Sequence, residues 1–196
     1  MIVYHMSDKL KIGNEIILDH DNTQSLATPF IQALKISQDC FYAMLLNSKY
    51  MRAVLLKHGL REWSNYVKWS CEGAFEYIRQ TEFSHCCSRL HCAYYYDSLS
   101  NCKRMFDVDF AMESNETREK IHLYEIELND DTPDKFDMQL FDMAYDVIDE
   151  SRDISLVFQY AREYFSGQHT SSPIWEILSD KPAKVISDIT KHLYKK

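Results

Sequence analysis

The sequence predicts an α+β fold with a block of helices inserted into the chain, and three observations lead there. Short β-type segments stand at both ends, two long segments of helical periodicity fill the region from about 30 to 80, and no regular strand–helix–strand alternation links them. No repeat or low-complexity linker interrupts residues 1–196, so the expectation is a single domain carrying a helical insertion.

Ile2 to Met6 reads as the first strand, and the Gly13-Asn14 pair marks a turn before a second short run, Glu15 to Leu18. Asp19 to Pro29, rich in Asp, Asn, Ser and Thr, reads as loop. From Ile36 the apolar positions Cys40, Phe41, Met44, Leu45, Met51, Val54 and Leu55 keep a helical spacing that His58-Gly59 should stop. A second helix is expected from about Glu62 to Gln80. Leu90 to Tyr96 reads as an aromatic strand, followed by a short helix that Ser98 or Ser100 would cap. Ile121 to Leu128 alternates as a half-buried strand does, an acidic loop follows, and Phe141–Ile148 and Ile154–Phe165 carry two amphipathic helices. Trp175 to Leu178 and Ala183 to Ile189 read as closing strands.

Composition narrows the function classes. No uninterrupted apolar run approaches the ~20 residues that cross a bilayer, and the opening residues lack a basic segment followed by an apolar one. The expectation is a soluble cytoplasmic protein whose six cysteines are reduced thiols. A net charge of −8 argues against broad binding to nucleic acid. Much of that charge is local: eleven acidic residues and two basic ones lie between Glu125 and Asp153. Lys181, Lys184, Lys191, Lys195 and Lys196, or Arg52, Lys57 and Arg61, would supply phosphate contacts, against the simpler reading of a solvated face. Only four glycines occur, all far apart, so neither a P-loop nor a GxGxxG can be built. GxSxG, HExxH and CxxC are also missing. His85-Cys86-Cys87 and His91-Cys92 hold metal-ligating types, but without the paired spacing of a zinc site.

Three separated segments carry the chemistry: Tyr4-His5-Met6-Ser7, then Tyr94-Tyr95-Tyr96-Asp97-Ser98 running into a helix, then Trp175-Glu176-Ile177-Leu178. In order and content they resemble the His–Tyr–Glu class of ADP-ribosyltransferases. The Leu10-Lys11-Ile12-Gly13 spacing is similar to that of the rifamycin-modifying members. The resemblance spans about half the chain in fragments and implies a split β-sheet core and NAD⁺ as co-substrate. It implies that His5 bonds a ribose hydroxyl on the adenosine side, that Tyr94 stacks on the nicotinamide ring, and that Glu176 supplies the carboxylate where positive charge develops. Ser7 is the small-residue position. Met6 stands where the class usually has Gly and is expected to narrow the pocket.

Alternatives stay open at several of these positions. Successive tyrosines on a strand face opposite ways, so Tyr95 or Tyr96 competes with Tyr94. Asp137 and Asp142 compete with Glu176 as the late acid. Arg89 reads either as a phosphate contact or as an ordinary ion pair. The resemblance further implies an acceptor such as RNA, DNA or protein, a toxin or phage-defence role, and a neutralising antitoxin. The competing readings are an inactive binding module of the same fold and a plain helical adaptor.

Overall fold

The computed structural model describes residues 1–16, 21–57, 66–151 and 153–194. Seven strands form one sheet: β1 (Ile2–Ser7), β2 (Glu15–Ile16), β3 (Ala93–Tyr96), β4 (His122–Leu128), β5 (Asp134–Asp137), β6 (Trp175–Ser179) and β7 (Ala183–Asp188), in the order β2-β7-β4-β1-β3-β6-β5. Helices α1 (Asp21–Ile36), α2 (Gln38–Lys57), α3 (Tyr66–Glu82), α4 (Leu99–Asp109), α5 (Asn115–Glu119), α6 (Met138–Glu150) and α7 (Ile154–Phe165) complete the described elements with a 3-10 turn at Thr190–His192. The architecture is α+β. The chain divides into two compact units, one of Met1–Leu18, Cys92–Phe136 and Ile174–Lys196, the other of Asp19–His91 and Asp137–Pro173.

The first unit holds the sheet. Gly13 takes φ +87°, which only glycine adopts without strain, and the turn it makes lets Gly13 N–H donate to Val185 O at 2.8 Å. Alternation along the strands sorts two apolar layers. Val3, Tyr95, Tyr124, Ile126, Leu128, Ile177 and Val185 fill one face. On the other, Leu123 packs with Cys102 and Phe106 of α4, joined by Tyr4, Met6, Tyr96 and Leu99. Of the two serines that could start α4, Ser98 is the cap: its side chain accepts from Asn101 N–H.

The second unit is helical. The block expected near residues 30–80 is α1 to α3, and α6 and α7 join it. Phe75, fully buried, meets the rings of Phe141, Tyr164 and Phe165 at 5.0, 5.5 and 6.1 Å. Gly73 allows α1 to approach α3: a Cβ there would lie 2.8 Å from Phe30 Cβ. Asp137 and Asp153 cap α6 and α7 by accepting backbone N–H groups of their first turns.

Several boundaries differ from expectation. Asp21–Ile36 is helix although Pro29 lies inside it. The missing N–H costs a hydrogen bond, and the burial of Ala27, Phe30, Ile31, Ala33 and Leu34 offsets it. The aromatic strand begins at Ala93, because hydrogen-bonded turns occupy the preceding residues. The acidic loop contains β5, whose Phe136 is buried. The expected helix stop at His58-Gly59 and the start near Glu62 lie outside the described residues. Cys40, Cys71, Cys86 and Cys102 form no disulfide, but Cys87 and Cys92 are disulfide-bonded, which corrects the expectation of six reduced cysteines.

Candidate functional site

The sheet order brings the three chemistry-bearing segments side by side: β1, β3 and β6 are consecutive strands. β3 and β6 pair along their length, with Tyr94 opposite Leu178, Tyr95 opposite Ile177 and Tyr96 opposite Glu176. β1 pairs with β4 at six positions, Ile2 to Ser7. β1 and β3, in contrast, are in register only at Tyr4 and Tyr96. The two strands therefore part where β1 carries His5, Met6 and Ser7 and β3 carries Ala93, Tyr94 and Tyr95.

At this parting the His5 side chain replaces the ladder, its Nδ1 lying 2.9 Å from Tyr94 O. Burial lowers the imidazole pKa below its ordinary value, and the bond to the Tyr94 carbonyl opposes that shift only in part. The ring meets Tyr95 edge-on at 6.0 Å and 65°. Tyr95 is 1% exposed, and its Oη has no hydrogen-bond partner among the described residues. Burial pushes that phenol up to about 12. An unpaired buried hydroxyl costs about 1–3 kcal/mol, so the fold carries a donor at this place at its own expense.

The register separates the expected trio by face. Cross-strand partners share a face, so Tyr94 and Glu176 project with Tyr96 on one side of the sheet and His5 projects with Tyr95 on the other. Glu176 is 2% exposed. His5 and Tyr94 therefore lie on opposite faces, and of the competing tyrosines the ring beside His5 is that of Tyr95. Met6 does not narrow a pocket near His5, since it packs into the opposite layer with Leu123 and Cys102. Ser7 Oγ accepts from Lys9 N–H at 3.1 Å, and its cross-strand neighbour is His122.

Arg89 belongs to the helical unit. Its guanidinium donates to both Glu72 carboxylate oxygens at 3.0 and 3.2 Å and to Tyr164 Oη at 2.9 Å, and lies 4.0 Å from the centre of the Phe141 ring. The residue is 6% exposed. Of its two readings the structure favours the ion pair over a cofactor contact. Asp137, fully buried, accepts from Gln139 N–H, Thr170 N–H and Thr170 Oγ1. Those bonds make it a helix cap. Asp142 sits half-buried on α6.

Of the basic residues proposed for phosphate contact, Lys57 and Lys191 are exposed. Lys181 pairs with Asp180 at 2.9 Å, and Lys184 stands in register between Glu15 and Glu127. Lys195 and Lys196, Arg61, and the side chain of Arg52 lie outside the described residues. Residues 3–191 match the family described as "Protein of unknown function (DUF2441)". The chain belongs to that family. A comparison with curated proteins finds no match. Among the described residues no helix is long and apolar enough to cross a membrane.

One cluster escaped the sequence reading. His122 Nδ1 lies 3.0 Å from Asp188 Oδ2, while Asp188 Oδ1 accepts from Thr190 N–H and Thr190 Oγ1. Partial burial works against the Asp188 charge, but the bonds from Thr190 and His122 outweigh it and hold the carboxyl below the usual carboxylate range. A separation of 66 positions hides the His122–Asp188 pair, which only the β4–β7 register reveals.

Proposed function

We propose that the chain is an NAD⁺-dependent ADP-ribosyltransferase of the His–Tyr–Glu class, with the split sheet of that class and an inserted helical block. One observation carries the reading: three segments far apart in sequence occupy neighbouring strands β1, β3 and β6, and β1 and β3 part beyond Tyr4 and Tyr96. The residues suit NAD⁺ there, because the Tyr95 hydroxyl would gain a partner from a carboxamide or a ribose hydroxyl.

In this reading Tyr95 supplies aromatic contact to the nicotinamide, and His5 holds β3 in place through the Tyr94 carbonyl while offering its other ring nitrogen to ribose. Breaking the nicotinamide–ribose bond develops positive charge on the sugar carbon, and the leaving base takes the bonding electrons. Glu176, shielded from water, places a fixed negative charge against that development and takes up the proton the acceptor loses. The acceptor is a macromolecule, RNA, DNA or protein, and the enzyme is a cytoplasmic toxin or phage-defence effector restrained by an antitoxin.

The test uses NAD⁺ labelled in its adenylate half, mixed with purified protein and a cell lysate, then divided between nuclease and protease. Label erased by one treatment identifies the acceptor class. Nicotinamide that stays bound in NAD⁺ under all conditions contradicts the reading.

A further inference from the structure

Since Cys40, Cys71, Cys86 and Cys102 form no disulfide, the two bridged sulfurs, those of Cys87 and Cys92, are joined to each other. A cross-link across so short a loop removes less freedom from the unfolded chain than a long one does, so its main consequence is local. Cys92 stands immediately before β3. We propose that the Cys87–Cys92 disulfide is a redox switch that fixes the leading end of β3, and that its reduction lets that end, with the Tyr94 carbonyl and the Tyr95 ring, leave the place where they meet His5.

The turn that carries Cys87 is anchored by bonds of its own. Phe83 O accepts from Cys86 N–H and Ser88 O from His91 N–H, each at 2.9 Å, while Ser88 Oγ donates to Glu76 at 2.8 Å and Arg79 donates to Cys86 O at 3.1 Å. Cys92 leads instead into a strand whose ladder to β1 is in register only at its far end, at Tyr96. Near its start the His5 ring meets Tyr94 O, and β6 pairs on the other side. The disulfide therefore ties the less supported end of β3 to a fixed turn.

Cys87 is half-buried and Cys92 is 7% exposed, so an incoming thiolate attacks the sulfur of Cys87. The S–S bond breaks, Cys92 leaves with the bonding pair and takes a proton, and Cys87 is held in a mixed disulfide. A dithiol reductant then closes into its own cyclic disulfide and releases Cys87 as a thiol, so that two electrons and two protons pass from reductant to protein. The neighbouring Cys86 is buried, with its Sγ donating to Phe165 O at 3.8 Å, and takes no part. In the reducing compartment that the function proposed above assigns to the chain, a disulfide serves chiefly as a redox sensor, and the effect on turnover rests on that same reading.

Hydrogen exchange read by mass spectrometry tests the proposal on the full chain, oxidised and after dithiothreitol, with alkylation confirming the state of Cys87 and Cys92. Reduction of the wild type, or Cys87→Ser without reductant, should speed exchange at residues 93–95 and leave α7 unchanged. Nicotinamide release should slow by up to about 10²-fold, the scale of a misplaced positioning group. Oxidised glutathione should restore both in the wild type and neither in the variant. Exchange at 93–95 that does not respond to redox state overturns the proposal, and so does faster exchange with turnover unaltered. Nicotinamide released in neither state contradicts the transferase reading, and the exchange result still decides whether the disulfide governs β3.

Discussion

The buried polar groups of the helical unit and those near the parting of β1 and β3 are handled in opposite ways. In the helical unit Arg89 is matched by Glu72 and Tyr164, and Glu76 accepts from Arg79, Gln80 and Ser88. Asp137 is closed by Thr170 and Gln139. At the parting, Tyr95 Oη is left without a partner, His5 is kept short of its usual basicity, and two strands forgo most of their ladder. Saturated polar groups hold a fold together. Groups left unsaturated at a cost mark where something else is to be bound.

The widest gap between the two regions should appear in stability. Arg89→Ala leaves Glu72 buried without its cation, so unfolding free energy by denaturant titration should fall by about 3–5 kcal/mol. A loss below 1 kcal/mol would show that the helical unit does not depend on the pair. Glu176→Gln should leave the denaturation midpoint near wild type yet slow nicotinamide release on the order of 10²-fold. Stability falling in step with turnover would move Glu176 from the chemistry to the core.

Tyr95→Phe sharpens the contrast further. Removing a hydroxyl that has no partner among the described residues should raise stability by about 1 kcal/mol and weaken NAD⁺ binding in the same protein. A destabilised Tyr95→Phe would mean that the hydroxyl has a protein partner after all.

The smallest effect concerns pH. His5 has a lower pKa folded than unfolded, so the unfolded chain takes up its proton first and stability is lost as pH falls below the ordinary imidazole value of 6.5. Glu76 and Asp188 are also held low, but as carboxylates they act further into acid. His5→Gln should flatten the limb nearest neutrality and leave the acid limb intact. An unchanged upper limb would assign that titration elsewhere.

Much of the fold was legible because its signals are local. The periodicity of α6 and α7, the Gly13 turn and the Ser98 cap each lie within a few residues of what they determine. Helix α1 was hidden by Pro29 and a polar start, since only its burial shows what outweighs them. The site was half legible: residue types and strand neighbours followed from the segments, but the face each side chain takes depends on register between strands some 90 residues apart. That is why Tyr94 was grouped with His5 although Tyr95 is the ring beside it. The His122–Asp188 pair was invisible for the same reason. Arg89 stayed open between a phosphate contact and an ion pair because neither Glu72 nor Tyr164 is near it in sequence.

The account turns on whether the β1–β3–β6 surface consumes NAD⁺. Purified protein incubated with NAD⁺ and cell lysate as the source of acceptor should liberate nicotinamide detectable by chromatography, and the Glu176→Gln protein, folded by circular dichroism, should liberate on the order of 10²-fold less. Equal release by the two proteins, or none by the wild type with every plausible acceptor fraction present, would contradict it.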